Sequence, residues 1–140
     1  GFLWSNMAQL TSLVVQGVPE KFPDMDIVFQ ESGLFWVSTM MHRLDAEYLK
    51  RQSEAPLLER RPSAYMREFY YGTQPLEIPE DETRRETTID DTGGADQIMY
   101  ASDYPRWDYD RQTAITDREF LTDAEKDRIL GGTAKEVFDI

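Results

Sequence analysis

Three short segments rich in β-branched and aromatic residues alternate with helix-like segments, and this alternation constrains the fold most. The strand-like segments span residues 25–31, 69–73 and 97–101. Because a parallel return between two strands needs a crossover connection, strands that are separated by helices predict a parallel α/β sheet. Such a sheet is either a small open α/β layer or the last three units of a (β/α)8 barrel, which typically needs about 250 residues.

Helical periodicity and helix-boundary signals occupy the segments between these strands. Apolar residues recur at helical spacing over residues 7–16 and 34–51. Pro79 is followed by three carboxylates and predicts the first turn of another helix, since its ring fixes φ and the carboxylates favour the positive end of the helix dipole. Residues 122–125 (TDAE) form a capping box and predict a helix near the end of the chain.

Composition excludes several classes of function. The chain has 27 Asp and Glu against 15 Lys and Arg, and a net charge of −12 argues against nucleic-acid binding. It has no cysteine, which excludes disulfides, thiol nucleophiles and cysteine-based zinc sites. The single histidine, His42, cannot build a multi-histidine metal site alone. No apolar stretch approaches the roughly 20 residues of a membrane span, and residues 1–13 lack signal-peptide features, so we expect a cytoplasmic protein with no membrane partner.

Polar residues follow each predicted strand, at Glu31, at the Thr73-Gln74 pair and at Asp103. In a (β/α)8 barrel the C-terminal ends of the strands form the active site. Asp103 there could hold a divalent metal or act as a general base; alternatively, it caps the following turn by accepting backbone hydrogen bonds. Glu31 either lines the same site or pairs with an arginine such as Arg43 or Arg106.

Six short motifs also carry a family resemblance. They are GVPEKFPD (17–24), ESGLFW (31–36), RLD (43–45), TQP (73–75), YASDYPRWD (100–108) and ILGGTA (129–134). In this order they resemble the amidohydrolase-related family, the branch of the amidohydrolase superfamily that includes aminocarboxymuconate-semialdehyde decarboxylase. The resemblance implies the C-terminal portion of a TIM-like (β/α)8 metal-dependent hydrolase barrel, about strands six to eight with their helices, as one partial-barrel domain over residues 1–140.

The resemblance also implies an activity and a set of site residues. The activity is hydrolysis or non-oxidative decarboxylation of a small carboxylated or cyclic substrate, with one divalent metal, commonly zinc. Asp103 occupies the motif position of a catalytic aspartate that sits at the metal, and Glu31 is a second catalytic carboxylate. The residues expected to bind the substrate are Trp36, Tyr104, Arg106 and Trp107. Where the family usually has a histidine after its SDYP run, this chain has Arg106.

The remaining metal ligands of the family, a His-x-His pair on the first strand and a histidine near the fifth, are not in this chain. We therefore expect the chain alone to be inactive and to bind zinc only when the missing N-terminal half is supplied. Three parallel strands leave two edges that are prone to pairing, so the expected partner is that missing half or a second copy of the chain. The alternative is a non-catalytic fragment that acts as an assembly or partner-binding module.

Overall fold

The computed structural model describes residues 1–140 and contains eight α-helices and three β-strands. The helices are α1 (Phe2–Val15), α2 (Val18–Lys21), α3 (Phe35–Lys50), α4 (Pro62–Met66), α5 (Thr83–Asp91), α6 (Thr113–Thr116), α7 (Asp123–Asp127) and α8 (Thr133–Phe138). The strands are β1 (Val28–Phe29), β2 (Tyr70–Gly72) and β3 (Ile98–Met99). None of the helices combines the length and the apolar character needed to cross a bilayer.

The three strands form one parallel sheet in the order β1-β2-β3. Phe29 is paired with Tyr71, and Tyr71 with Ile98. The connections between the strands run through α3 and α4 and then through α5, as parallel pairing requires. The predicted α/β class and parallel sheet are thereby confirmed, although each strand is shorter than the apolar segment that predicts it.

A single apolar cluster joins the sheet to the helices. It contains 21 buried residues from α1, α3, α4, α5, the three strands and the C-terminal segment. At its centre the ring of Phe29 stacks on Tyr71 with centroids 5.9 Å apart, and Trp36 meets both rings edge-on. The strand side chains are therefore anchored in the core, and this anchoring fixes the direction in which the strand ends point.

The helix boundaries agree with the sequence signals at the C-terminal end of the chain and differ at α5. The predicted capping box is confirmed, because Thr122 Oγ1 accepts from the backbone amide of Glu125 while the Glu125 carboxylate accepts from the Thr122 amide. The predicted start at Pro79 is wrong. The helix α5 begins at Thr83, where the Asp81 carboxylate accepts hydrogen bonds from both the backbone amide and the hydroxyl of Thr83.

Candidate functional site

The segments that follow the three strands converge on one open cleft of about 110 Å³. Two carboxylates predicted from the sequence, Glu31 after β1 and Asp103 after β3, line this cleft together with Gln74, which follows β2. Its other lining residues are Phe2, Pro75, Arg106 and Asp108. Parallel pairing accounts for this arrangement, because the carboxyl ends of all three strands meet at the same edge of the sheet.

Both carboxylates are held by an unusual backbone conformation. The φ angle is +62° at Glu31 and +55° at Asp103. Asp139 is the only other non-glycine residue in the chain with a positive φ. A left-handed conformation is costly for a residue with a Cβ atom, and such strain clusters at functional sites. Two of the three strained residues are thus the two carboxylates that the strand-end argument selects.

The Asp103 carboxylate does not cap the turn that follows it. It accepts no backbone hydrogen bond, whereas the Ser102 hydroxyl accepts from the Tyr104 amide at 3.3 Å. The turn is closed by the Arg106 amide, which donates to the Asp103 carbonyl at 2.9 Å. The capping alternative therefore does not describe Asp103, and its carboxylate is left to interact with side chains or ligands.

One arginine lies between two aspartates at the cleft. Arg106 Nε is 3.1 Å from Asp103 Oδ2 and 3.9 Å from Asp108 Oδ1. The Asp108 Oδ1 atom is buried and accepts no hydrogen bond within the chain. A buried acceptor without a donor is destabilising by about 1–3 kcal/mol, so the cleft contains an oxygen that needs a partner.

Gln74 is a cleft residue that the substrate-binding prediction does not include. It is only 3% exposed. Its Nε2 atom is 3.5 Å from the Asp108 carbonyl, at the limit of a hydrogen bond, and its Oε1 atom accepts none. The neighbouring Thr73 makes a contact within the fold. Its hydroxyl accepts from the Ala101 amide at 3.1 Å and joins β2 to the segment after β3. The position of Gln74 at the end of a strand, which the sequence indicates for the Thr73-Gln74 pair, places it at the cleft.

Glu77 fixes the Glu31 loop against the Gln74 loop. Its two carboxylate oxygens accept from the Leu34 amide at 2.9 Å and from the Phe35 amide at 3.2 Å, at the N-terminus of α3. This contact depends on Gly33, where a Cβ atom would lie 2.5 Å from Glu77 Oε1 and 2.6 Å from the Pro75 carbonyl. The glycine, with a φ of +66°, thus permits the close approach of the two loops.

The loop that carries Asp103 is closed at its base. The Asp110 amide donates to the Ser102 carbonyl at 3.0 Å, and the Tyr100 hydroxyl donates to the Asp110 carbonyl at 2.7 Å. Burial raises the pKa of Tyr100, and the charge of Asp110 raises it further, so the phenol is a neutral donor at pH 7. The three charged residues of this loop that line the cleft therefore share a fixed base.

The aromatic residues expected to bind the substrate lie in two different environments. Trp36 is 6% exposed, packs in the core against Phe29 and Tyr71, and donates its indole N–H to the Gly33 carbonyl at 3.0 Å. It does not line the cleft. Tyr104 and Trp107 lie on the Asp103 loop but are 73% and 90% exposed. The expectation for Trp36 rests on the family resemblance of the ESGLFW motif, and a motif match does not show whether a tryptophan packs in the core or lines a pocket.

The oxygen atoms at the cleft suit part of a divalent-metal site. Carboxylate and carbonyl oxygens are preferred ligands of hard cations such as Mn²⁺ and Mg²⁺, and Asp103 supplies a carboxylate to the cleft. The chain nevertheless has no group of three or more His, Cys, Asp or Glu side chains arranged to hold a metal. His42 lies on α3 with its side chain 81% exposed. The residues present fit one edge of a metal site, and further ligands are needed to complete it.

Comparisons with known proteins agree with this architecture. A family model described as amidohydrolase matches residues 2–140. Among curated proteins, none matches the chain. The chain is similar to the crystal structure of 5-carboxyvanillate decarboxylase LigW from Sphingomonas paucimobilis, with 24% identity and a TM-score of 0.69, over 91% of this chain and 38% of that one.

Two further crystal structures are similar. Amidohydrolase map2389c from Mycobacterium avium subsp. paratuberculosis K-10 has 19% identity and a TM-score of 0.73, over 91% of this chain and 32% of that one. A dihydroxybenzoic acid decarboxylase from Polaromonas sp. JS666, with bound manganese and the inhibitor 2-nitroresorcinol, has 21% identity and a TM-score of 0.69, over 95% of this chain and 39% of that one. This chain therefore spans between 32% and 39% of these neighbours. The likeness shows the fold, which is part of a (β/α)8 barrel, and the match of the family model to residues 2–140 shows that the chain belongs to the amidohydrolase family.

Proposed function

We propose that this chain supplies the strand-six-to-eight part of a metal-dependent amidohydrolase-type active site. The reaction is hydrolysis or non-oxidative decarboxylation of a small carboxylated or cyclic substrate. The observation that carries the proposal is the convergence of Glu31 and Asp103 on one cleft, each at a strand end and each in a left-handed conformation. Family membership gives this pair its chemical context.

Each cleft residue has a separate role in this proposal. Asp103 would hold the metal ion, which would polarise a substrate oxygen. Glu31 is the second carboxylate and moves a proton at the reacting centre. Arg106 and Gln74 orient an anionic or hydrogen-bonding group of the substrate. Trp107, exposed on the Asp103 loop, covers the substrate from the solvent side.

The rest of the site comes from outside the 140 residues. A divalent ion needs more ligands than this cleft contains, so we infer that an N-terminal barrel half with a His-x-His pair completes it. The resemblance favours zinc, while the manganese in one structural neighbour belongs to that protein. The chain alone is then inactive, and hydrolysis and decarboxylation are the two activities to assay.

A matched pair of variants tests the proposal. The chain is combined with the segment encoded upstream of Gly1, and bound metal is measured by elemental analysis after gel filtration. We expect Asp103→Asn to lose the metal. We expect Asp96→Asn to keep it, since Asp96 also pairs with an arginine, Arg128, but lies outside the cleft. Retention of the metal by Asp103→Asn would remove Asp103 from the site and contradict the proposal.

A non-catalytic assembly module is the second candidate, favoured by exposed apolar side chains. Phe2, Trp4 and Trp107 are 59%, 79% and 90% exposed. Both β1 and β3 are edge strands of the sheet. Sedimentation analysis distinguishes the candidates. Stable self-association of the chain, together with retention of all metal binding in Asp103→Asn, supports the assembly role and contradicts the enzymatic one.

A further inference from the structure

Asp108 lies beside the proposed metal ligand but has no assigned role. Its Oδ1 atom is buried and unpartnered, whereas its side chain as a whole is one-third exposed. The nearest cationic group is Arg106, whose Nε atom lies 3.9 Å away and is closer, at 3.1 Å, to Asp103 Oδ2. One guanidinium group thus faces two carboxylates and contacts only one of them.

Arg106 pairs with the Asp103 carboxylate, which the proposed function assigns to a metal ion. A divalent cation at Asp103 and a guanidinium at 3.1 Å from the same carboxylate repel each other. Binding of the cation therefore weakens the contact between Arg106 and Asp103. The Arg106 side chain is 56% exposed, so solvent is open to it on one side.

The geometry points to Asp108 as the residue that receives Arg106. We propose that a cation bound at Asp103 moves the Arg106 guanidinium onto Asp108 Oδ1, so that Asp108 is a positioning residue for the metal site. This inference rests on the proposed function. Transfer satisfies the buried oxygen, which otherwise has no donor, and keeps the arginine charge paired.

Backbone hydrogen bonds hold the loop that carries Asp103 and Asp108 while the Arg106 side chain moves between them. The bonds between Asp110 and Ser102 and between Arg106 and Asp103 are made by backbone atoms and do not depend on the guanidinium. The carbonyl of Asp108 is also close to the Gln74 amide, at 3.5 Å. Only the side chain of Arg106 has to move.

Nuclear magnetic resonance of the arginine Nε–H groups tests the transfer without metal. In the wild-type chain the Arg106 signal should show a hydrogen bond to a carboxylate. In Asp103→Asn, which removes the first acceptor charge, we expect the signal to report a bond to Asp108. It should become that of a solvated guanidinium only in the double variant Asp103→Asn/Asp108→Asn. A solvated signal in Asp103→Asn alone would overturn the inference.

A double-mutant cycle with Mn²⁺ as the probe tests the role of Asp108 in cation binding. Binding to the chain combined with its N-terminal half is followed by electron paramagnetic resonance during titration with Mn²⁺. We expect Asp108→Asn to raise the Kd about fivefold or more when Arg106 is present, and less than about twofold in the Arg106→Gln background. An equal increase in both backgrounds means that Asp108 acts through its charge alone and overturns the inference.

Two more variants separate failure of the inference from failure of the proposed function. Arg106→Gln should bind Mn²⁺ more tightly than wild type, and Asp103→Ala in that background should abolish binding. If Asp103→Ala abolishes binding but the cycle is additive, only the role of Asp108 is wrong. If no Asp103-dependent binding occurs even in Arg106→Gln, both the proposed function and the inference are contradicted. Asp96→Asn is the control for the change in net charge.

Discussion

The polar groups that surround α4 are hydrogen-bonded within the chain, whereas several of those in the cleft are not. In the α4 region, Tyr65 accepts hydrogen bonds from the Glu59 and Arg60 amides at 2.9 and 3.0 Å and donates to the Glu20 carboxylate. Burial raises the pKa of Tyr65, and the hydrogen bond to Glu20 raises it further, so the hydroxyl stays a neutral donor. All three hydrogen bonds of the Tyr65 hydroxyl join parts of the fold to one another.

The cleft shows the reverse pattern. Glu31 and Asp103 adopt a strained backbone, Asp108 Oδ1 has no donor, and the side chain of the buried Gln74 makes one marginal hydrogen bond. We infer that the polar groups near α4 stabilise the fold, whereas those of the cleft are available to a ligand. Substitutions in the two regions should therefore have different consequences.

The largest effect is expected from the tryptophan that the structure places in the core. Trp36→Ala removes a 6% exposed ring and should lower the free energy of unfolding by about 3–5 kcal/mol. Trp107→Ala removes a 90% exposed ring from the cleft loop and should change it by less than about 0.5 kcal/mol. Urea unfolding measures both. Equal losses would contradict the placement of the two rings.

Removal of one hydroxyl from the α4 region is expected to have a smaller effect. Tyr65→Phe leaves two backbone amides and one carboxylate without their shared partner and should cost about 1–3 kcal/mol. The control is Tyr104→Phe, whose hydroxyl is on an exposed ring of the cleft loop. A stability of Tyr65→Phe equal to that of Tyr104→Phe would show that the α4 network is not stabilising.

The carboxylate of the capping box should give a pH-dependent effect of about 0.3–1 kcal/mol. Hydrogen bonds from the hydroxyl and amide of Thr122 lower the pKa of Glu125. Because the folded-state pKa is the lower one, the contribution of the carboxylate is present above the unfolded value, about 4.3, and is lost as pH falls through the folded value. The difference between wild type and Glu125→Ala should therefore shrink below about pH 4.

Thermal unfolding over the acid range measures that difference, and the exposed Glu119 supplies the control. Glu119→Ala should give a difference that is small and flat with pH. A Glu125→Ala difference that grows on acidification would have the wrong sign and would refute the capping account.

Backbone strain at the cleft should give the smallest effect, and of opposite sign. Glu31→Gly relieves a positive φ and should stabilise the chain by up to about 1 kcal/mol. Asp139→Gly relieves the same conformation at the end of α8, away from the cleft, and provides the comparison. Differential scanning calorimetry measures both. Destabilisation by Glu31→Gly would mean that the Glu31 side chain supports the fold and would weaken its assignment to the site.

The sequence predicted those features that depend on neighbours along the chain. The alternation of elements, the capping box at Thr122 and the strand-end positions of Glu31 and Asp103 are all local patterns. Contacts between residues that are distant along the chain could not be predicted from such patterns. Glu77 caps a helix that begins 42 residues earlier, at Phe35, and no local pattern indicates such a partner.

The errors and omissions have physical causes as well. Pro79 has the ring and the following carboxylates of a helix start, but the side chain of Asp81 pairs with Thr83 and sets the boundary there. The role of Asp108 depends on the burial of its Oδ1 atom and on the missing donor, which only coordinates reveal. The left-handed conformation of Glu31 and Asp103 was likewise not predictable, since few non-glycine residues adopt it and no local pattern marks these two.

The central claim is that Asp103 anchors a divalent ion at the edge of the parallel sheet. Anomalous diffraction at the manganese edge, from crystals of the chain assembled with its N-terminal half and grown with Mn²⁺, tests it most directly. We predict one strong peak about 2.0–2.6 Å from an Asp103 carboxylate oxygen. A fully occupied manganese elsewhere, with the Asp103 carboxylate still bound to Arg106, would contradict the account.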